Sequence, residues 1–428
     1  MTSVREYKIG LLGCGTVGQG LVELINRNRA VIRERSGVDL GLARILVRDL
    51  GKSRPGVNPK LFTTQPERVI NNGCDVVVEL VGGLEPAKSF IQRALKNRKP
   101  VVTANKALLA LDGLELLNTA AIHRVPFGFE ASVCAGIPII RTLQGGLVGN
   151  TIQSIAGILN GTCNYILTRM CEGHLDFEEA LHEAQAKGFA EADPSLDIDG
   201  HDAAQKLKIL AELAFGGRLP ENAVQVQGIR DITSSDIEAA RKLGGVIRLI
   251  GSAEALDGSV SLRVQPVILP QSHQLATVRN ENNAVLVKGD AVGEMFFHGK
   301  GAGSLPSASA VLSDIVDIAM HRRAVPRTSQ RCLTTRSKKF DSQRYLRFPV
   351  SQPSAIGTIT EVFEKYGIGV TKAAATWAKR PGELHEVKLV TLSCSESGLN
   401  KALQNIAQSG TLNGKWIALS IAAKSPVN

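Results

Sequence analysis

Aromatic side chains are scarce in this sequence, with two Trp, four Tyr and twelve Phe among 428 residues. A core built without them leans on Leu, Ile, Val and Ala. The seven cysteines are odd in number, widely scattered and form no Cys-x-x-Cys pair. That excludes a disulfide framework, argues against a structural zinc site and points to a reducing, cytoplasmic setting. No apolar run reaches membrane-spanning length, and the polar stretch from Met1 to Lys8 lacks the layout of a secretory leader. Neither a membrane nor export is therefore expected. Nor is a nucleic acid: the formal net charge is +10, but it is not gathered on one long basic face. The densest basic run, from His321 to Arg347, reads as a solvated linker. A small anionic ligand fits the mild positive charge better.

What the sequence does contain is an alternation of strand and helix. Tyr7 to Leu12 is a short apolar run leading straight into Gly13-Cys14-Gly15-Thr16-Val17-Gly18. Val17, Leu21, Val22, Leu24 and Ile25 then follow at helical spacing. This order fits a dinucleotide pyrophosphate. Gly13 permits the turn, Gly15 lets backbone approach the phosphates, and Gly18 lets helix and strand pack closely. The helix start at Thr16 and Val17 supplies N–H groups and positive dipole. A glycine-rich loop alone is a weak indicator; its place between a strand and an amphipathic helix gives it weight.

A second strand is expected over Gly41 to Val47, followed by Arg48, Asp49, Lys52 and Arg54. Cationic groups there suit the 2′-phosphate of NADP, whereas Asp49 leaves NAD open. A solvated loop is the plainer alternative. Cys74 to Val81 reads as a strand buried on both faces, ending at Gly82-Gly83. A helix from Pro86 to Arg98 and a strand from Val101 to Thr103 complete a Rossmann-like, doubly wound parallel sheet over residues 1–150. Lys106 follows the end of that last strand, where ligands lie in such sheets, although a solvated lysine at a helix start has the same pattern.

Farther on, Glu191, Asp193, Asp197, Asp199 and Asp202 crowd one loop and the start of a helix running from His201 to Phe215. Asp202 and Lys206 are four residues apart and share a face. A surface ion pair and a catalytic pair both fit that spacing. A calcium loop does not, because its alternating ligands and central glycine are missing.

Several stretches resemble the homoserine dehydrogenase family. They are G-L-L-G-C-G-T-V-G at 10–18, T-A-N-K at 103–106, E-A-S-V-C-A-G-I-P at 130–138, L-N-G-T-C-N-Y-I-L at 159–167 and A-Q-A-K-G-F-A-E-A-D-P-S-L-D-I-D-G-H-D-A-A-Q-K at 184–206. The resemblance spans roughly residues 7–320. It implies NAD(P)H-dependent, reversible reduction of L-aspartate 4-semialdehyde to L-homoserine, in threonine, methionine and isoleucine biosynthesis. It also implies that Glu191 binds the substrate's amino group, with Asp197 in the same substrate site. Asp202 and Lys206 contact the reacting oxygen, and Lys106 lies near the nicotinamide and substrate. Either lysine is a candidate to move the proton. A sodium or potassium ion is implied at Glu130 and the backbone oxygens of Val133, Ala135 and Ile137, an oxygen-only set suited to a hard cation. Gly299 to Gly303 resembles a second cofactor loop, with Lys300 where proline is common.

Residues 151–304 are then expected to form a substrate and dimerisation domain, in a homodimer or homotetramer. The helix 305–320 is expected to pack back on the nucleotide domain. Strands are expected over Ile152 to Leu159, Val246 to Ile250, Val260 to Leu269 and Ala284 to Lys288. After the linker at 321–343, residues 344–428 read strand–helix–strand–strand–helix–strand, the ferredoxin-like pattern. In this family that pattern resembles an ACT domain, which often serves threonine feedback; Pro353-Ser354-Ala355 stands where a Pro-Gly turn is usual. Two rivals remain at this stage. One is a semialdehyde dehydrogenase with Cys134 or Cys163 as nucleophile, although a small buried cysteine explains each better. The other is a non-catalytic amino-acid sensor.

Overall fold

The computed structural model describes residues 5–71, 73–321, 331–336, 342–352, 354–376 and 385–423. The first sheet comprises β1 (Glu6–Leu12), β2 (Asp39–Leu46), β3 (Phe62–Thr63), β4 (Val76–Glu79), β5 (Val101–Thr103) and β6 (Phe127–Gly128). Its order is β3-β2-β1-β4-β5-β6 and every pairing is parallel. Period-two alternation divides its side chains between two cores. Leu12, Val77 and Val101 join the helices Ala87–Lys96 and Lys106–His123 on one side. Leu11, Val76, Val78 and Val102 join the helices Thr16–Ser36 and Ser304–His321 on the other. All four β4 residues are buried, which is why that strand reads as one apolar run ended by a glutamate. The helix Ser304–His321 thus belongs to the first core although residues 152–300 and 334–421, on either side of it in sequence, supply the second sheet.

The second sheet contains β7 (Ile152–Ile158), β8 (Gln225–Val226), β9 (Gly245–Leu256), β10 (Ser259–Pro270), β11 (Asn282–Gly289), β12 (Gly293–Lys300), β13 (Thr334–Thr335), β14 (Arg344–Val350), β15 (Val370–Thr376), β16 (His385–Thr391) and β17 (Ile417–Ile421). Its main path is β12-β11-β7-β9-β10-β17-β14-β16-β15. β9 and β10 form a long antiparallel hairpin. The other side of β10 is covered piecewise by parallel partners: β13 at Ser259 and Val260, β8 at Arg263 and Val264, and β17 at Val267 and Ile268.

The tail strands lie in the order β17-β14-β16-β15, all antiparallel, with helices Ala355–Lys365 and Glu396–Gln408 in the crossovers. That is the ferredoxin-like topology, closed by its own core around Phe348, Phe363, Leu389 and Leu403. It is not a separate sheet, because β17 continues the ladder of β10.

Two local expectations need correction. Gly299 and Lys300 do not lie in a loop; they end β12, paired with Asn283 and Asn282. β12 itself escaped notice because half of its side chains face outward in strict alternation. The linker is not structureless throughout. Arg218 N donates to Arg331 O at 2.9 Å, and Thr334–Thr335 forms β13. Most of the basic run, and Pro353, lie outside the described residues.

Candidate active site

The carboxyl ends of β4 and β5 are tied together before the chain reaches Lys106. Glu79 is fully buried, and its Oε1 accepts the amides of Val81 and Gly82 at 2.7 and 3.1 Å. Thr103 Oγ1 donates to Glu79 Oε2 at 2.6 Å. Asn105 caps the helix Lys106–His123 by accepting Leu108 N–H at 3.2 Å, and its Nδ2 donates to Gly83 O at 2.6 Å. Lys106 is therefore the first residue of a capped helix leaving an anchored corner.

The second sheet supplies the other half. Left-handed Gly200 precedes the helix His201–Phe215, whose Leu207, Leu210 and Ala211 are buried in the core. Asp202 and Lys206 lie on that buried side, 1% and 7% exposed, so the pair is no surface ion pair. Lys206 Nζ donates to Asp202 Oδ2 at 2.7 Å and to Leu159 O at 2.8 Å. Lys106 Nζ forms an ion pair with Asp202 Oδ1. Asn160 Nδ2 donates to Asp202 Oδ2 at 2.8 Å and to Asp197 Oδ1 at 2.7 Å. Asn160 also caps the helix Gly161–Glu172 by accepting Cys163 N–H at 2.7 Å. In sequence it stood inside the L-N-G-T-C-N-Y-I-L stretch, as an asparagine before a helix, with no role assigned.

Burial works against the charges of this cluster, and their mutual attraction outweighs it. Despite burial, Lys206 and Lys106 hold the Asp202 carboxyl below the usual carboxylate range. Asp202 in turn holds the buried Lys206 ammonium above the usual lysine range. Asp197 is pushed up by burial and by the charge of Asp202. An ammonium has three N–H donors, and the two bonds of Lys206 leave one for a further oxygen. Glu191 stands apart. It is exposed between the helices Phe177–Ala186 and Ser195–Ile198, and among the described residues no hydrogen bond or ion pair joins its carboxylate to the cluster. Asp199 is instead held by Arg230 at 2.9 and 3.0 Å.

Neither cysteine has the surroundings of a nucleophile. Cys134 and Cys163 are buried, and burial pushes both thiols up, Cys163 strongly. Cys163 Sγ donates to Asp197 O at 3.1 Å, and Cys134 Sγ accepts from Asn283 Nδ2 at 3.2 Å.

The glycine turn has the geometry its sequence implied. Gly13 has φ +96°, and a Cβ there would lie 2.6 Å from Leu80 O. A Cβ at Gly18 would lie 2.7 Å from Gly13 O, whereas one at Gly15 would meet nothing within 4 Å. The helix Thr16–Ser36 has no side-chain cap and no acid in its first turn, so its N-terminus suits an anion. Gly303, at φ +122°, is brought close because Ser304 Oγ donates to Thr16 O at 2.8 Å. Arg48 and Lys52 are exposed beside this turn. Arg54, the last cation of that run, pins their loop to it. Its Nε donates to Cys14 O at 3.3 Å, and its Nη1 to Asp49 O and Lys52 O at 3.1 and 2.8 Å.

Glu130 lies where the two halves meet. It is 4% exposed, and its Oε1 and Oε2 accept the amides of Ile140 and Arg141 at 2.9 and 2.8 Å. Its own N–H donates to Asp314 Oδ2 at 2.9 Å. Burial raises its carboxyl despite those bonds, and among the described residues no side-chain cation lies within ion-pair distance. Val133, Ala135 and Ile137 are buried in the same segment, which Gly136 fastens to β12 by donating to Lys300 O at 2.8 Å.

A doubly wound sheet with this glycine turn, opening toward a lysine–aspartate–lysine cluster, defines a nicotinamide-dependent dehydrogenase. Residues 13–130 match the model of the homoserine dehydrogenase NAD-binding domain, and residues 138–316 that of homoserine dehydrogenase. A homoserine dehydrogenase of Bacillus subtilis is 40% identical, over 94% of this chain and 95% of its own. The crystal structure of one from Thiobacillus denitrificans superposes with TM-score 0.88 at 36% identity, covering 98% of each chain. A hyperthermophilic archaeal homoserine dehydrogenase in complex with NADPH gives TM-score 0.64 at 26% identity, covering 75% of this chain and all of that one. The chain belongs to the homoserine dehydrogenase family. It is an NAD(P)-dependent oxidoreductase that interconverts L-aspartate 4-semialdehyde and L-homoserine in amino-acid biosynthesis. Among the described residues no helix is long and apolar enough to cross a membrane.

Proposed function

We propose that Lys206 is the proton donor for the reduction, that Asp202 positions it, and that Lys106 stabilises the developing oxyanion. The observation that carries this reading is the sharing of one buried carboxylate between lysines from the two halves of the molecule. When bound, the nicotinamide supplies the hydride in one direction and accepts it in the other. Lys206 presents its third N–H to the aldehyde oxygen and gives up a proton as that oxygen gains charge. Asp202 keeps the ammonium protonated and aimed until then. In homoserine oxidation the same nitrogen takes the proton back. Asp197 lines the substrate site, and Glu191 receives the substrate's ammonium group as the exposed acid of the same loop.

NADP is the preferred cofactor in this reading. The exposed cations Arg48 and Lys52 support it, as does the engagement of Asp49 Oδ1 by the amide of Gly51. The bound NADPH of the archaeal relative also supports it. NAD use is the alternative. A sodium or potassium ion fits Glu130 with the backbone oxygens of Val133, Ala135 and Ile137, because it would offset a buried carboxylate lacking a side-chain cation. The tail is ACT-like and takes an amino-acid effector, L-threonine being the first to test. The chain works in the cytoplasm as a homodimer or homotetramer, joined near β12, where Val292 and Phe296 are exposed.

The test follows NADPH absorbance with L-aspartate 4-semialdehyde, in wild type and Lys206→Ala, repeated with NADH. Loss of turnover with retained NADPH binding supports the role of Lys206. Near-wild-type turnover in the variant transfers the proton to another group. Faster turnover with NADH than with NADPH reverses the cofactor preference.

A further inference from the structure

Asn160 holds two carboxyl groups on one amide nitrogen. Its Nδ2 donates to Asp202 Oδ2 at 2.8 Å and to Asp197 Oδ1 at 2.7 Å. The counter-charges around that nitrogen are unevenly shared. Lys106 and Lys206 both pair with Asp202, and Arg230 pairs with Asp199. Asp197 has no side-chain cation within ion-pair distance among the described residues. Two acids set this close do not both ionise without cost, and the one lacking a counter-charge is the one that keeps a proton.

Thr162 shows where that proton sits. Its Oγ1 lies 2.6 Å from Phe189 O and 3.2 Å from Asp197 Oδ2. A hydroxyl carries one hydrogen, and a backbone carbonyl can only accept. The shorter contact therefore takes the Thr162 hydrogen. The longer one is a hydrogen bond only when Asp197 Oδ2 carries a hydrogen and Thr162 Oγ1 accepts it. Thr162 is 8% exposed, so water competes little for that lone pair. The other groups facing Asp197 agree. Cys163, from the helix Gly161–Glu172, donates to the Asp197 backbone oxygen and keeps its own proton. Burial and the charge of Asp202 push the Asp197 carboxyl up, against the pull of Asn160 and of the two lysines that grip Asp202 instead.

We propose that Asp197 is a neutral carboxylic acid in the free enzyme, hydrogen-bonded to Thr162, and that it surrenders its proton to solvent when the substrate's ammonium group docks. The proposal rests on the reading of this cluster as the substrate site. The docking ammonium brings the cation that Asp197 lacks, so the O–H bond at Oδ2 breaks and water takes the proton. Thr162 is a positioning residue, acting through Asp197. The exchange has a use in the reaction. A proton leaves as an ammonium arrives, so the cluster keeps the excess of two lysine charges over the one carboxylate of Asp202. That excess faces the oxygen on which hydride transfer places negative charge.

The experiment titrates L-homoserine calorimetrically into the full-length enzyme saturated with NADPH, a pair that cannot react because both are already reduced. It is run at about pH 6, roughly two units above an ordinary aspartate. Buffers of different ionisation enthalpy make the slope a count of protons released. Wild type is expected to release about one proton per chain, as linkage requires of an acid that ionises on binding. Asp197→Asn is expected to release none and to bind homoserine about tenfold more weakly, as loss of a charged contact does. Thr162→Val is expected to release fewer protons than wild type, and Thr162→Ser to restore the count. Homoserine binding to wild type without proton release would overturn the neutral acid and leave the substrate site standing. Equal release from wild type and Asp197→Asn would assign the proton to another group and overturn it too. A full count from Thr162→Val would remove Thr162 from the proposal. Should Asp197→Asn fail to fold, infrared difference spectra of wild type decide. The carbonyl stretch of a protonated carboxyl is expected to vanish on homoserine binding, and a spectrum without that loss would overturn the proposal. Homoserine affinity untouched by Asp197→Asn and by Lys206→Ala alike would overturn the substrate-site reading itself.

Discussion

Lys106 and Lys206 grip opposite oxygens of one carboxylate: Lys106 Nζ pairs with Asp202 Oδ1, and Lys206 Nζ lies 2.7 Å from Asp202 Oδ2. One lysine rises from the end of β5 and the other from a helix packed against the second sheet. The carboxylate is thus the point at which the two halves meet chemically.

Replacing Lys206 with Ala is expected to lower kcat by about 10²- to 10⁴-fold, the usual contribution of a positioned acid or base. Cofactor affinity, measured by fluorescence titration with NADPH, is expected to stay within about twofold. Lys206→Arg is not expected to restore turnover, because a planar fork does not fit a 7%-exposed site already bonded to Leu159 O.

Asp202→Asn is expected to cost about 3–5 kcal/mol in urea unfolding at pH 7, since it leaves two ammonium groups without their counter-charge. The native pKa of Asp202 is depressed, so its contribution is fully present above the unfolded carboxylate value near pH 4 and fades as pH falls through the native value. The stability gap between wild type and variant should therefore be flat from pH 7 to about 4 and narrow only below that. A gap closing steadily from pH 7 would contradict the depressed pKa.

Cys134→Ala and Cys163→Ala are each expected to retain turnover within about tenfold, because both thiols are buried and protonated. Their cost should appear in thermal unfolding instead. Abolished turnover with an intact fold would point back to acyl-enzyme chemistry.

Arg48→Ala and Lys52→Ala are each expected to raise KM for NADPH about fivefold, the effect of roughly 1 kcal/mol from a solvent-screened charged contact. KM for NADH should be unchanged. A parallel rise for both cofactors would place these side chains on the shared pyrophosphate rather than the 2′-phosphate.

Exchanging sodium and potassium for tetramethylammonium at constant ionic strength is expected to reduce activity in wild type. Glu130→Gln should show the same reduced activity in all three salts. Equal wild-type activity throughout would remove the cation from Glu130.

The first core was legible because its pattern is local. Apolar residues at helical spacing run on from the glycine turn, and β4 opens with three consecutive valines before Glu79. Asp202 and Lys206 were legible as a pair, since four residues on a helix share a face, but not as buried, which depends on the packing of β7 and β9. The bonds of Asn160 and Arg54 could not be read in advance. Their partners lie 37 and 42 residues away for Asn160, and 40 for the Arg54 bond to Cys14. No periodicity encodes such distances. β13 escaped for the opposite reason: two exposed threonines form a strand only because β10 offers them an edge.

That edge has a consequence for engineering. β10 is fenced by three short lengths of chain from three different regions, each bonding a two-residue step. Cutting away the tail would remove the last fence post and bare the step at Val267 and Ile268, an invitation for a neighbouring molecule to add its own strand. A shortened enzyme would thus face a solubility problem before a catalytic one, and polar or charged replacements at that step are the natural companion to any truncation.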